Sequence, residues 1–317
     1  MENNNNVMIP KIKVLGIGGG GVNALYRNMK NKNQFVEFVA VNTDLKSLVN
    51  KKCDTQVQIG EKLTKGQGAG TNPEIGKLAC EESTELIKKV IENIDMLIIT
   101  AGMGGGTGTG AVSVVAKIAK EMGILVVAIV TLPFSFEGAK RMETAKSGVS
   151  ELSKYVDSLV VIENSKLLST LPKSTKLMQA FEHCDGVLSK SIGAILNILI
   201  PNGEINLDFN DLKTTLQNKG AVYMNIGTGS GENKLSEALN SAMENAIIET
   251  KIHGITDAII NIASHPDSLG LSGVEYVSDQ FKKAVGDKVN IIFGLQYDMS
   301  MQDSVEITVI GSKAKEI

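Results

Sequence analysis

The sequence predicts an α/β protein: a doubly wound parallel sheet, a long central helix and a smaller α+β C-terminal domain. Three observations carry this expectation. From residue 11 to about residue 170, short and continuously apolar strands alternate with helical segments, the pattern of a parallel sheet covered on both faces. Leu177, Phe181, Leu188, Ile192, Ile195 and Leu199 then form an apolar stripe at helical spacing. After Pro201, four strand-like and two helical runs suit a compact α+β unit.

Each element can be justified in turn. Residues 1–10 read as an asparagine-rich disordered tail. Lys11 to Leu15 opens a strand, which "GIGGGGVNALYRNM" turns into a helix, and "FVEFVAVNTD" (Phe35–Asp44) is a second strand ending in polar residues. "CDTQVQIG" is a shorter strand. Asn72-Pro73 then starts a helix expected to run through Glu81–Glu92. "IDMLIIT", "ILVVAIVTLPF" and "SLVVIEN" supply three more buried strands, with helices at Ala111–Met122 and in "AKRMETAKSGVSELSKYV". Pro172 interrupts, and Ser174 can cap the long helix, which is roughly 39 Å in length and ends at Pro201. "AVYMNIGTG", "DAIINIAS", "VNIIFGLQYD" and "SVEITVIG" read as strands, with helices at about 234–249 and 272–285. The expected divisions are 1–10 for the tail, 11–172 for the α/β domain, 173–200 for the helix and 201–317 for the α+β domain.

Bulk properties narrow the function. A chain of 317 residues, 43% apolar, has material for two cores. Its net charge of −3 gives no reason to expect nucleic-acid binding, and Lys51-Lys52 and Lys140-Arg141 read as solvated surface. Cys53, Cys80 and Cys184 lie far apart and suit a reducing compartment as buried thiols. The polar N-terminus lacks a signal-peptide pattern. The longest apolar stretch, Gly123 to Val130, is far short of the roughly 20 residues that span a bilayer. A cytoplasmic protein without membrane insertion is expected.

Three glycine-rich loops come after strands. Gly16, Gly18 and Gly21 satisfy G-x-G-x-x-G, and Asp44 closes the next strand, the spacing of a dinucleotide fingerprint. That motif alone would allow an oxidoreductase. "AGMGGGTGTG" (Ala101–Gly110) holds six glycines and two threonines, yet no lysine completes a Walker A loop. Its chemistry must rest on main-chain N–H groups and a helix N-terminus. A tight turn for packing would explain one or two of these glycines. "GQGAGTN" (Gly66–Asn72) is the third loop. Three loops at strand ends can surround a triphosphate, with Mg²⁺ held mostly through phosphate and water.

These motifs resemble one family, the tubulin/FtsZ GTPases, and within it the bacterial cell-division branch, FtsZ. "GGGTGTG" at 104–110 is similar to the family signature and "PFSFEG" at 133–138 to the segment after it. "NLDFND" at 206–211 resembles the synergy loop and "GAGTNPEIG" the loop near the γ-phosphate. The resemblance runs from about Lys11 to Gly311.

What it implies is a GTP- and GDP-binding hydrolase that polymerises head-to-tail with itself, joins other division proteins and acts at the division site. By resemblance, Gly19, Gly20, Gly21 and Asn23 form the first phosphate loop. Gly70 and Thr71 stand near the γ-phosphate, and Gly104, Gly105, Gly106, Thr107, Gly108 and Thr109 form the signature loop. Glu137, Arg141 and Asn164 would contact ribose and phosphate. Phe181 would stack on guanine, and Asp185 would accept from its N1–H and N2–H₂ edge, which adenine cannot offer. Asp208 and Asp211, with Asn206 assisting, lie past the long helix and would act on the neighbouring subunit's nucleotide, a heterologous contact that builds open filaments.

The sequence also departs from the family pattern. Leu132 and Ala139 stand where basic residues are usual, Thr71 replaces an alanine, and "IASHPDSLG" lacks a usual glycine pair, with His265 read as a loop residue. The sequence ends at Ile317, before the linker and terminal peptide the resemblance would add, which leaves membrane recruitment open. A filament-forming paralogue with a positioning role is the nearest rival reading.

Overall fold

Buried on both faces, a parallel sheet needs strands that are apolar throughout, and this requirement organises the first half of the chain. The computed structural model describes residues 10–29, 35–172, 174–199, 203–205, 207–244, 250 and 252–313. The chain begins with β1 (Ile12–Ile17), α1 (Gly18–Asn28), β2 (Val36–Asn42), α2 (Leu45–Val49) and β3 (Thr55–Gln58). Next come α3 (Glu61–Thr64), α4 (Pro73–Glu82), α5 (Thr84–Val90), β4 (Met96–Gly102) and α6 (Thr107–Glu121). After these stand β5 (Leu125–Leu132), α7 (Ala139–Leu152), β6 (Ser158–Glu163), α8 (Asn164–Thr170) and the long α9 (Leu177–Leu199). The remainder comprises β7 (Gly203–Ile205), α10 (Phe209–Leu216), β8 (Gly220–Ala221), β9 (Tyr223–Ser230) and α11 (Lys234–Met243). It ends with β10 (Asp257–Ser264), α12 (Leu271–Val285), β11 (Asn290–Tyr297) and β12 (Ser304–Ser312).

The first sheet has the order β3-β2-β1-β4-β5-β6-β8, with every pair parallel. Strand order reverses between β1 and β4, so a crevice opens there beyond the carboxyl ends of the strands. One face packs Leu15, Ile99 and Val130 against Val112 and Val115 of α6. The other packs Val14, Phe38 and Ile129 against Leu25 of α1 and Leu188, Ile192 and Ile195 of α9. That second core continues into Met224, Ile259 and Ile310, so α9 is a wall shared by both sheets. The C-terminal sheet is mixed, in the order β7-β11-β10-β12-β9, with α11 and α12 on its far side around Phe281 and Leu239.

The fold class is the expected one; several details differ. The helix begun at Pro73 breaks at Ser83 into α4 and α5. The spine begins at Leu177, past Ser174, and its 23 residues span about 35 Å. "NLDFND" leads directly into α10, where no helix was expected. β7 adds an unexpected edge strand. β8, two residues long, extends the first sheet from beyond α9.

Asp157 holds that return. Its carboxylate accepts from Val126 N at 2.9 Å and Asn218 N at 3.2 Å, and its carbonyl accepts from Lys219 N and Gly220 N. Lys219 Nζ then reaches Asp257 of β10 at 2.9 Å, tying the two sheets together.

Candidate functional site

At the crevice between β1 and β4, α1 and α6 start side by side, and glycine makes this approach possible. Gly18 has φ +70°, and a Cβ there would lie 2.9 Å from Gly108 N. A Cβ on Gly21 would lie 2.3 Å from Thr100 O, and one on Gly16 would lie 2.5 Å from Gly21 O. These three residues bring backbone onto backbone, and no bound group is needed to explain them.

The glycines of Ala101–Gly110 divide in the same way. A Cβ on Gly110 would sit 1.9 Å from Pro73 O, on Gly106 2.6 Å from Gly70 O, and on Gly108 2.7 Å from Gly102 O. Gly104 has φ +96° and lies against Arg141. Packing therefore claims more of this run than the one or two residues expected. Gly105 is different: nothing lies within 4 Å of its Cβ position, and the same holds for Gly19 and for Gly70. Those three border open space. They are the positions where a phosphate oxygen could come within reach of main-chain amides.

Side-chain hydroxyls brace the loops. Thr109 Oγ1 accepts from Gly104 N at 2.8 Å, and Thr107 Oγ1 bonds Thr43 Oγ1 at 2.6 Å. Gly106 N donates to Gly70 O at 3.2 Å, which joins the third loop to the signature loop. Thr71 is exposed beside it. Asn72 caps α4 by accepting from Glu74 N. Asp44, the acid of the dinucleotide reading, instead caps α2 by accepting from Lys46 N and Ser47 N.

Next to these loops lies a cleft of about 630 Å³ that gathers Gly20, Asn23, Glu137, Arg141, Asn164, Phe181 and Asp185. Seven of the expected side chains and glycines thus share one space, although they come from α1, α7, α8, α9 and the turn before α7. Glu137 Oε1 accepts from Phe134 N at 2.8 Å, and Oε2 pairs with Arg141 at 2.9 Å. Asn164 is 9% exposed and its Oδ1 has no partner, a cost that a bound ligand's donor would remove. Phe181, 38% exposed, meets the Phe134 ring edge-on at 5.0 Å.

Asp185 stands 3.7 Å from the Arg27 guanidinium. Burial pushes its carboxyl above an aspartate's ordinary value, against the opposing pull of Arg27 and Lys51. Arg27 and Lys51 both line the cleft, and neither was expected there. The Lys51-Lys52 pair, read as solvated surface, thus sends one side chain into the site, as Lys140-Arg141 sends Arg141. The sequence signal for Arg27 was its place one helical turn past Asn23. Lys51 had none, because it arrives from the segment between α2 and β3.

The structure places each departure from the family pattern. Leu132 is 5% exposed inside β5, and Ala139 is the exposed first residue of α7. His265 sits in a loop, where it caps a short turn by accepting from Asp267 N.

Asp208 and Asp211 come past the far end of α9, and α10, which they open, ends where Leu216 O accepts from Ser158 Oγ at the amino end of β6. Asp185 and Leu199 stand about 21 Å apart along α9, and the two acids come after Leu199, beyond β7. They form a reciprocal capping box: Asp211 N donates to Asp208 Oδ1 at 2.8 Å, and Asp208 N to Asp211 Oδ2 at 3.3 Å. Leu207 and Leu212, both buried, anchor the turn on either side. Asp208 is exposed, and each carboxylate keeps one oxygen outside the box. Asn206 lies outside the described residues.

The division among glycines gives a direct test. Gly110→Ala should destabilise the fold by about 3 kcal/mol through overpacking, seen as a lowered unfolding midpoint. Gly19→Ala and Gly105→Ala should shift it by less than about 1 kcal/mol while weakening whatever anion the cleft holds.

Two family models match the chain: the GTPase domain of the tubulin/FtsZ family over residues 11–172, and the C-terminal domain of the FtsZ family over residues 220–314. FtsZ from M. jannaschii, solved as an empty dimer, superposes with a TM-score of 0.90 at 37% identity, covering 96% of this chain and 89% of that one. CetZ1 from Haloferax volcanii, a GDP-bound monomer, gives 0.82 at 20% identity over 97% and 95% of the two chains. CetZ2 from the same organism, a GTPγS-bound protofilament, gives 0.80 at 19% over 96% and 94%. At such identities the two CetZ likenesses speak to the fold alone. With the GTPase model covering the cleft-bearing half and the FtsZ match running almost end to end, the chain belongs to the tubulin/FtsZ family of GTPases.

Proposed function

We propose that this GTPase polymerises head-to-tail and hydrolyses GTP at the junction between subunits, as a cell-division filament of the FtsZ type. The observation that carries this reading is the distance between the cleft and the acids: α9 separates Asp208 and Asp211 from the phosphate loops of their own chain. The FtsZ relative was solved as a dimer, which supports self-association here. The 37% identity to FtsZ over 96% of the chain supports the FtsZ-type reading. Cytoplasmic placement at the division site and further division proteins as partners belong to the same reading. Among the described residues, no helix is long and apolar enough to cross a membrane.

In this reading, residues 11–172 bind the nucleotide, 173–200 form the spine and 201–317 present the synergy loop. Phosphates lie against Gly19, Gly20, Gly70 and Gly105, where main-chain amides and the starts of α1 and α6 meet the negative charge. Gly21, Gly104, Gly106, Thr107, Gly108 and Thr109 shape those loops, and Thr71 borders the γ-phosphate. Glu137, Arg141 and Asn164 hold ribose and phosphate. Phe181 stacks on the base and Asp185 selects guanine. Glu137 pairs with Arg141, Asp185 stands near Arg27 and takes the base in this reading, and Glu182 also lines the cleft; no cluster of three His, Cys, Asp or Glu occurs among the described residues. Mg²⁺ would therefore be held through phosphate oxygens and water, where it neutralises phosphoryl charge.

Asp208 and Asp211 of the next subunit would orient and polarise the attacking water, Asn206 assisting. The capping box fixes both carboxylates to the backbone and leaves each one oxygen for that water. Asp208→Asn keeps the cap and should bind GTP as tightly as the unmodified protein, while turnover falls about 100-fold or more. A single-turnover assay with a filament sedimentation control checks this, and full turnover would remove Asp208 from the mechanism.

Guanine recognition has a pH signature. Asp185 must be ionised to accept two hydrogen bonds, and burial has raised its pKa. GDP affinity should thus fall on acidification from about pH 7, beginning above the range of an ordinary aspartate. Asp185's own contribution to the stability of the empty protein should respond oppositely, since protonating a carboxyl whose folded pKa is raised adds stability as the pH falls. Asp185→Ala should weaken GDP binding and flatten both profiles, as read by titration and thermal unfolding.

A further inference from the structure

We propose that Lys51 is a positioning residue for the nucleoside, acting through Asn23; the proposal rests on the guanine-nucleotide reading of the cleft. Asn23 lies in the second turn of α1 and lines the cleft. Its amide has two unlike ends, an acceptor oxygen and a nitrogen that donates twice, and a half-turn of the side chain exchanges them. Lys51 Nζ donates to Asn23 Oδ1. A lysine ammonium has only donors to offer, so the oxygen must face Lys51 and the nitrogen is what Asn23 retains for a ligand.

Lys51 is itself held in position. Its ammonium lies 5.9 Å from the centroid of the Tyr26 ring, within the range of a cation–π contact. Tyr26 and Asn23 are three residues apart and share one face of α1. One face of that helix therefore supplies both an aromatic ring and an acceptor to a single cation. Lys51 is half-buried between them.

The chemistry of the ligand completes the inference. Asp185 takes the donor edge of guanine, N1–H and N2–H₂. The polar atoms of the nucleoside away from that edge include acceptors, N3 of the purine and the ribose oxygens. An amide nitrogen matches them, whereas an amide oxygen would oppose them. Without Lys51, Asn23 is free to turn its oxygen inward, and part of the bound population would present the wrong group. Lys51 thus acts on nucleotide affinity without touching the nucleotide.

A mutant cycle tests this, using GDP titration of the full chain alongside its thermal unfolding. Lys51→Met should weaken GDP about tenfold, the worth of one hydrogen bond, while Lys51→Arg restores most of the affinity. In an Asn23→Ala background, Lys51→Met should cost less than about twofold, because neighbouring sites that act through each other are not additive. The preference for GDP over IDP, which lacks the N2 amine, should survive Lys51→Met and collapse in Asp185→Ala. An undiminished Lys51→Met cost in the Asn23→Ala background would overturn the proposal, as it would mean direct contact with the nucleotide. No loss of affinity in Lys51→Met would overturn it too. Failure of the unmodified protein to bind GDP would overturn the reading of the cleft itself, and the proposal with it.

Discussion

The approach of α1 to α6 at the β1/β4 crevice sets the geometry of the whole cleft. Two helices whose first turns touch bring two sets of unpaired main-chain N–H groups to one place, and their dipoles point the same way. A Cβ at Gly18 would push them apart, and one at Gly21 would push α1 off β4. The same packing fixes α4 against α6 through Gly110 and Pro73 and so draws the third loop onto Gly106. Anion-binding capacity is in this sense a by-product of backbone packing. It needs no P-loop lysine, although the site is not free of cations: Arg27, Lys51 and Arg141 line its edge.

The long helix imposes the second constraint. α9 packs on both the first sheet and the C-terminal sheet. Phe181 and Asp185 near its start face the cleft, and the acids come after its end. Asp157, Lys219 and Asp257 then lock the sheets together on the return. In the proposed mechanism this spine keeps the two halves of the chemistry apart within one chain, and a neighbour stacked along the same axis would bring them together.

Much of this was legible in the residues. Continuous apolar strands, the stripe from Leu177 to Leu199 and the three glycine loops specify local structure through short-range patterns. The side chains gathered in the cleft were legible from long motifs in a fixed order. What could not be read depends on contacts distant in sequence. Gly110 is a packing residue because Pro73 O lies against it, and only the fold brings those two together. Lys51 belongs to the site because its loop crosses α1, and its dipeptide resembles any surface pair. β8 is two residues long, too short to carry a period. The helix after "NLDFND" was not marked because Asp208 and Asp211 read equally well as turn or as helix-cap residues until their capping box was seen.

Division of labour between subunits is the central claim, and the most direct measurement is GTP hydrolysis per protein molecule across a range of protein concentrations. Turnover that is absent at low concentration and appears above a threshold is the predicted result, since the acids and the nucleotide meet only at a junction. A rate per molecule that stays constant down to the lowest concentration would contradict it, because one subunit would then contain everything the reaction needs.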